Sequence, residues 1–174
     1  MKHYLAVVDI QKDFVDGALG SKEAVAIIVP SVEKISAFEG EIFVTFDTHF
    51  EDYLDTAEGK KLPVPHCIKG TPGWELNSEV AKALAGKKFT AVEKLTFGSA
   101  ELPELIKKSA GNEDFDVTLI GLCTDICVVS NAMILKANFP EKQIYVDSSC
   151  CAGVTPESHE AALLTMKMCQ INVI

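Results

Sequence analysis

The stretch Val117-Thr118-Leu119-Ile120-Gly121-Leu122-Cys123-Thr124-Asp125-Ile126-Cys127-Val128 decides the fold. Its first half is almost wholly apolar, and Val117–Gly121 reads as a strand covered on both faces. Polar residues then arrive abruptly, and the pattern predicts a helix over Asp125–Ala137. A doubly covered strand that runs straight into a helix is the unit of a parallel sheet. Working outward, the unit recurs. Toward the N-terminus, strands are predicted at Tyr4–Val8, Ile42–Phe46 and Phe89–Val92, with helices at Ala24–Phe38, Asn77–Leu84 and Glu101–Lys108. Pro30 in the first of these helices sits near a first turn or marks a kink. Toward the C-terminus come a strand at Gln143–Val146, a helix at Pro156–Cys169 and a closing strand at Ile171–Ile174. Thr155-Pro156 supplies an N-cap followed by proline at the first helical position. The expectation is an α/β fold: a single domain over 1–174, with a Rossmann-like, parallel six-stranded sheet and helices on both faces.

Composition agrees with a packed domain. The chain has 174 residues, 48% of them hydrophobic, which is enough for one sizeable core and short for two. A net charge of −9 argues against a nucleic-acid partner, which wants a basic face. No run approaches the ~20 apolar residues that cross a bilayer. Asp9 interrupts the apolar N-terminus too early for a signal peptide, so a cytoplasmic location without membrane association is expected. Reduced thiols are then expected for Cys67, Cys123, Cys127, Cys150, Cys151 and Cys169.

In a doubly wound sheet, ligands bind beyond the carboxyl ends of the strands. Asp9 ends the first strand, Asp47 ends the second, Lys94 follows the third, and Cys123-Thr124-Asp125-Ile126-Cys127 follows the fourth. An acid, a lysine and a thiol therefore converge on one rim. Asp9-Ile10-Gln11-Lys12-Asp13-Phe14 contains neither a dinucleotide glycine fingerprint nor a phosphate-binding lysine loop, so no organic cofactor is expected. Cys127, early in its helix, is expected to have a lowered thiol pKa; an inert buried cysteine is the competing reading. Asp9 after Leu5-Ala6-Val7-Val8 needs a buried partner, or else is a turn residue. Lys94 taken alone reads as one more surface lysine. Cys150, Cys151 and Cys169 read as structural, as do His3 and His159, placed away from the rim. Asp47–Trp74 is a long connection carrying His49 and His66, and long loops in compact domains are usually functional. Phe14 and Trp74 are candidate walls for a flat substrate, with core packing the alternative.

Three segments in order resemble the isochorismatase-like cysteine hydrolases, whose best-known members are nicotinamidases. Val8-Asp9-Ile10-Gln11-Lys12-Asp13-Phe14 is similar to the family's Asp-x-Gln-x-Asp-Phe opening. Lys94-Leu95-Thr96-Phe97-Gly98-Ser99 is similar to its catalytic-lysine segment. Gly121-Leu122-Cys123-Thr124-Asp125-Ile126-Cys127 is similar to its nucleophile motif. The resemblance spans nearly the whole chain. It implies that Cys127 attacks an amide carbonyl, that Asp9 takes the thiol proton and returns it to the leaving amine, and that Lys94 holds the carboxylate and favours the thiolate. A thioester follows. Backbone N–H groups of Cys123 and Cys127 would hold the oxyanion, with a cis peptide at Leu122–Cys123. Family members that cleave a vinyl ether lack this cysteine, so Cys127 favours C–N hydrolysis.

The resemblance also implies a metal. Asp47-Thr48-His49 and His66 match the nicotinamidase ligands, and Asp plus two His suits zinc, iron or manganese. Glu58 is the tentative fourth ligand, with Glu51 and Asp52 as rivals, and a metal-free loop remains the alternative. The implied activity is hydrolysis of a small amide, nicotinamide to nicotinate and ammonia first. A carbamoyl or ureido substrate is the alternative within the same chemistry. A metal-bound water nucleophile that leaves Cys127 inessential, or a thiol-based redox sensor, are the alternatives outside it. The family's habit implies a homodimer or homotetramer.

Overall fold

The computed structural model describes all residues, 1–174. Its sheet has six strands: β1 (Lys2–Val8), β2 (Glu41–Asp47), β3 (Phe89–Lys94), β4 (Phe115–Leu122), β5 (Gln143–Ala152) and β6 (Asn172–Val173). All pairings are parallel, in the order β3-β2-β1-β4-β5-β6. The α/β architecture is the one expected. The chain reverses its direction of winding between β1 and β4, which is where such sheets open a crevice.

Both faces of the sheet are covered. Tyr4, Ala6 and Val8 of β1 join Val117 and Leu119 on one face, under helices α6 (Glu101–Ala110), α7 (Val129–Asn138) and α8 (Pro156–Met168). Leu5 and Val7 point the other way, with Ile120 and Leu122. There they meet α1 (Lys12–Val15), α2 (Lys22–Ala26), α3 (Ile28–Ala37) and α5 (Ser78–Leu84). This is why β1 reads as an unbroken apolar run: residues 4–8 are all fully buried.

Four segments differ from the sequence reading. The helix expected over Ala24–Phe38 is two, α2 and α3, broken at Ile27. Pro30 has no N–H to offer and its ring would clash with the carbonyl of Ala26, so the helix restarts after that residue. The helix expected over Asp125–Ala137 opens with a wide π turn, Thr124–Val128, and becomes α-helical only at Val129. The connection after Asp47 is not featureless. It holds a 3-10 turn at Tyr53–Asp55, the short helix α4 (Ala57–Lys61) and a second 3-10 turn at Pro72–Trp74. Lastly β5 runs past Val146 to Ala152, across an irregularity where its pairing with β4 jumps register. Pairing with β4 is interrupted after Val146 and returns at Cys151 beside Gly121. No helix is long and apolar enough to cross a membrane.

Candidate active site

Strand register brings the polar groups together. Asp47 and Lys94 are partners at the last rungs of β2 and β3. Val8 lies between Thr45 and Gly121, so Asp9 leaves β1 beside the ends of both neighbours. Asp9 has φ +49°, a left-handed conformation that aspartate tolerates better than most residues.

Asp9, Lys94 and Cys127 meet in a buried cluster. Lys94 Nζ lies 2.6 Å from Asp9 Oδ2, 3.0 Å from Asp47 Oδ1 and 3.5 Å from Cys127 Sγ. Thr45 Oγ1 donates to Asp9 Oδ1 at 2.6 Å. Burial raises the Asp9 pKa, against the lowering pull of Lys94 and with a further push from the Asp47 charge. Burial also works against a charged Lys94, but Asp9, Cys127 and Asp47 outweigh it and hold its pKa above the ordinary lysine value. The Lys94 ammonium therefore stands between the carboxyl groups of Asp9 and Asp47.

Cys127 departs from the sequence expectation of a lowered pKa. Burial, then the Asp9 charge, push its thiol well above the usual cysteine value, with Lys94 only partly opposing. The helix-end argument fails because the thiol is almost wholly buried next to a carboxylate. Cys127 therefore rests as a thiol, its Sγ beside the Lys94 ammonium at 3.5 Å. Cys123 lines the same cavity, its thiol pushed up to about 12, chiefly by burial. The Leu122–Cys123 peptide is cis, as the resemblance implied. The Cys123 N–H donates to no backbone acceptor.

A second cluster abuts the first. Ligand atoms of Asp47, His49, Glu58 and His66 all lie within 4.8 Å of one another. His49 Nε2 is 2.9 Å from Asp47 Oδ2 and 3.8 Å from Glu58 Oε1, and His66 Nε2 is 3.6 Å from each of those oxygens. Tetrahedral ligands bound at ~2.1 Å stand about 3.4 Å apart, so the set fits a divalent cation. His66 Nδ1 donates to the Val64 carbonyl at 2.8 Å, which leaves Nε2 free to ligate. Burial alone would raise the Asp47 pKa, but the hydrogen bond with His49, the nearby His66 ring and the Lys94 charge hold it well below the usual carboxylate range. Glu51 and Asp52 are exposed and outside the set; Glu58 is inside because Thr56 caps α4 and presents it. The loop itself is tied by His49 N–H donating to Cys67 O at 3.0 Å and Lys69 N–H to His49 O at 2.9 Å.

Both clusters open into a cleft of about 810 Å³. Phe14 lines it, its ring 5.4 Å from that of His66. Trp74 does not. It stacks on Phe46 outside the cleft and its indole N–H donates to Thr48 Oγ1 at 2.9 Å. The cleft lining instead includes Leu95 and Phe97, just after Lys94; nothing in their periodicity singled them out. Two buried amides also escaped notice. Gln11 exchanges hydrogen bonds with the Asp47 backbone, accepting from its N–H and donating to its O. Asn131 donates to the Cys127 carbonyl at 2.8 Å and accepts from Ser99 N–H. His159, read as remote, lies 2.8 Å from Thr124 Oγ1. His3 pairs with Asp116 on the surface.

The isochorismatase domain family matches residues 3–174. A nicotinamidase/pyrazinamidase of Mycobacterium tuberculosis is 24% identical, over 98% of this chain and 97% of its own. The crystal structure of a nicotinamidase/pyrazinamidase from Bacillus subtilis superposes with a TM-score of 0.86 at 29% identity, covering 99% of both chains. That of an N-carbamoylsarcosine amidase from Thermoplasma acidophilum gives 0.79 at 25%, over 99% of this chain and 95% of its own.

Proposed function

Because the chain belongs to the isochorismatase family, we propose that it is a single-domain, cysteine-dependent amidohydrolase that converts nicotinamide to nicotinate and ammonia. The observation that carries the reading is Lys94 Nζ held within 3.5 Å of both Asp9 and Cys127 in a buried crevice. The named relatives support an amide C–N bond as the target.

The steps follow from the charges. Cys127 Sγ adds to the amide carbon as its proton passes to Asp9, whose raised pKa makes it the stronger base. The carbonyl oxygen becomes an oxyanion held by the Cys123 and Cys127 N–H groups. Asp9 returns the proton to the amine nitrogen, the C–N bond breaks and ammonia leaves, with a thioester on Cys127. Water then adds, giving its proton to Asp9; the C–S bond breaks, and that proton returns to the thiolate. Lys94 stays an ammonium throughout and keeps the buried negative charge affordable.

Asp47, His49, Glu58 and His66 would hold zinc, iron or manganese. Such a cation supplies a Lewis-acid anchor for a heteroatom of the substrate. Phe14 packs beside His66 and would form one wall for a flat ring. The alternative substrate is a carbamoyl amine, favoured by the likeness to the carbamoylsarcosine enzyme. Ammonia release by the wild type from nicotinamide, pyrazinamide and a set of carbamoyl and ureido compounds tests the assignment. Turnover highest on nicotinamide is expected. Turnover confined to the carbamoyl compounds would overturn the substrate while keeping the chemistry.

A further inference from the structure

The turn that carries the nucleophile is held from two sides. On one side Asn131 grips the Cys127 carbonyl. On the other the chain after β5 reaches in, and this contact has no part in the steps above. Thr124, next to Cys123, is fully buried, and its hydroxyl has one hydrogen-bond partner, His159 Nδ1 at 2.8 Å. His159 belongs to the first turn of α8. That turn is locked by a capping box: Ser158 N–H donates to Thr155 Oγ1 and Thr155 N–H to Ser158 Oγ, each at 3.1 Å. Gly153 lets the turn settle onto the rim, since a Cβ there would come within 2.9 Å of both the Cβ and the N of His159. A second tie lies alongside, where both carboxylate oxygens of Asp125 accept from Val154 N–H at 3.2 Å.

Both ties grip residues between Cys123 and Cys127, the two groups assigned to the oxyanion. We propose that His159 is a positioning residue for amide hydrolysis, acting through Thr124 Oγ1 to fix the turn so that both N–H groups and Cys127 Sγ meet the reacting carbonyl at once. The inference rests on the cysteine amidohydrolase reading. A donor aimed at a developing charge contributes only if it is in place before the charge forms. Small displacements are expensive: ~1 Å can cost on the order of 10²-fold.

The test is a cycle of His159→Ala, His159→Asn, Thr124→Val and His159→Ala/Thr124→Val, using the amide that the wild type hydrolyses and its matching aldehyde. The aldehyde adds the thiol and sets its oxygen at the oxyanion position. Asparagine puts a polar atom where Nδ1 stands. Expected is a drop in kcat of roughly 10- to 100-fold for His159→Ala, with KM little changed, near-complete rescue in His159→Asn, and a double variant no slower than Thr124→Val alone. Aldehyde inhibition should weaken in step with kcat while binding of the carboxylate product stays put. Unchanged kcat in folded His159→Ala, or additive losses in the double variant, would overturn the proposal. So would a kcat loss matched by lost folded protein in the thermal melt. Absence of Cys127-dependent turnover in the wild type would remove the amidohydrolase reading itself, and this inference with it.

Discussion

Asp47 divides its carboxylate between two tasks: Oδ1 faces the Lys94 ammonium at 3.0 Å, and Oδ2 faces the two histidines. Asp9 likewise divides between Thr45 and Lys94. Each buried charge is thus met by another, as burial demands. The pH dependence follows from Asp9. The base must be ionised to take the thiol proton, so kcat/KM is expected to fall as pH drops through the Asp9 pKa. Because burial raises that pKa, the acid limb should lie above the ordinary aspartate value of 3.8. A pH–rate profile checks this, and a midpoint at or below the ordinary value would contradict it. The convergence of Asp9, Lys94 and Cys127 was legible because each follows a predicted strand and each sits in a motif. The state of the thiol was not, because a sequence shows position along a helix but not depth of burial. Trp74 misled for a related reason: an aromatic near a ligand loop can face either way, and its N–H found Thr48.

At the scale of elements, the crevice depends on how closely β1 and β4 approach at their ends. Gly121 has φ +124°, and a Cβ there would collide with the carbonyl oxygen of Val8. Gly121→Ala is therefore expected to destabilise the fold by several kcal/mol, since both the backbone conformation and the contact oppose it. Denaturant unfolding measures this; a variant as stable as the wild type would show that β1 and β4 can part without cost. Strands β1 and β2 were readable from their doubly buried apolar runs, whereas the far end of β5 was not. β5 looked finished at Val146 because Asp147-Ser148-Ser149 is polar, yet the sheet resumes at Cys151 and delivers Gly153 and Val154 to the cleft. The link between His159 and Thr124 depends on that hidden extension. The π turn at Thr124–Val128 was equally hidden, since residue type does not distinguish it from an α-helical first turn.

For the whole molecule, the loop between β2 and β3 closes on the sheet to assemble four potential ligands from three local segments. A cation that binds only this folded arrangement stabilises it by RT ln(1 + [L]/Kd), about 2.7 kcal/mol at a hundredfold excess over Kd. Zinc, iron or manganese should therefore raise the melting temperature of one cooperative transition, a chelator should lower it, and His66→Ala should abolish the difference. A melt indifferent to metal in the wild type would remove the ion from the account. Asp47, His49 and His66 read as a candidate ligand set with Glu58 as the tentative fourth, and the structure groups Glu58 with them while Glu51 and Asp52 stay outside. That grouping depends on Thr56 starting α4 where it does.

Whether the Cys127 thiol is the nucleophile is decided by ammonia release from nicotinamide in Cys127→Ala. Activity at background level in a variant that remains folded and keeps its metal is the predicted result. Turnover persisting near the wild-type rate would contradict the thiol mechanism and pass the chemistry to water at the Asp47, His49, Glu58 and His66 cluster.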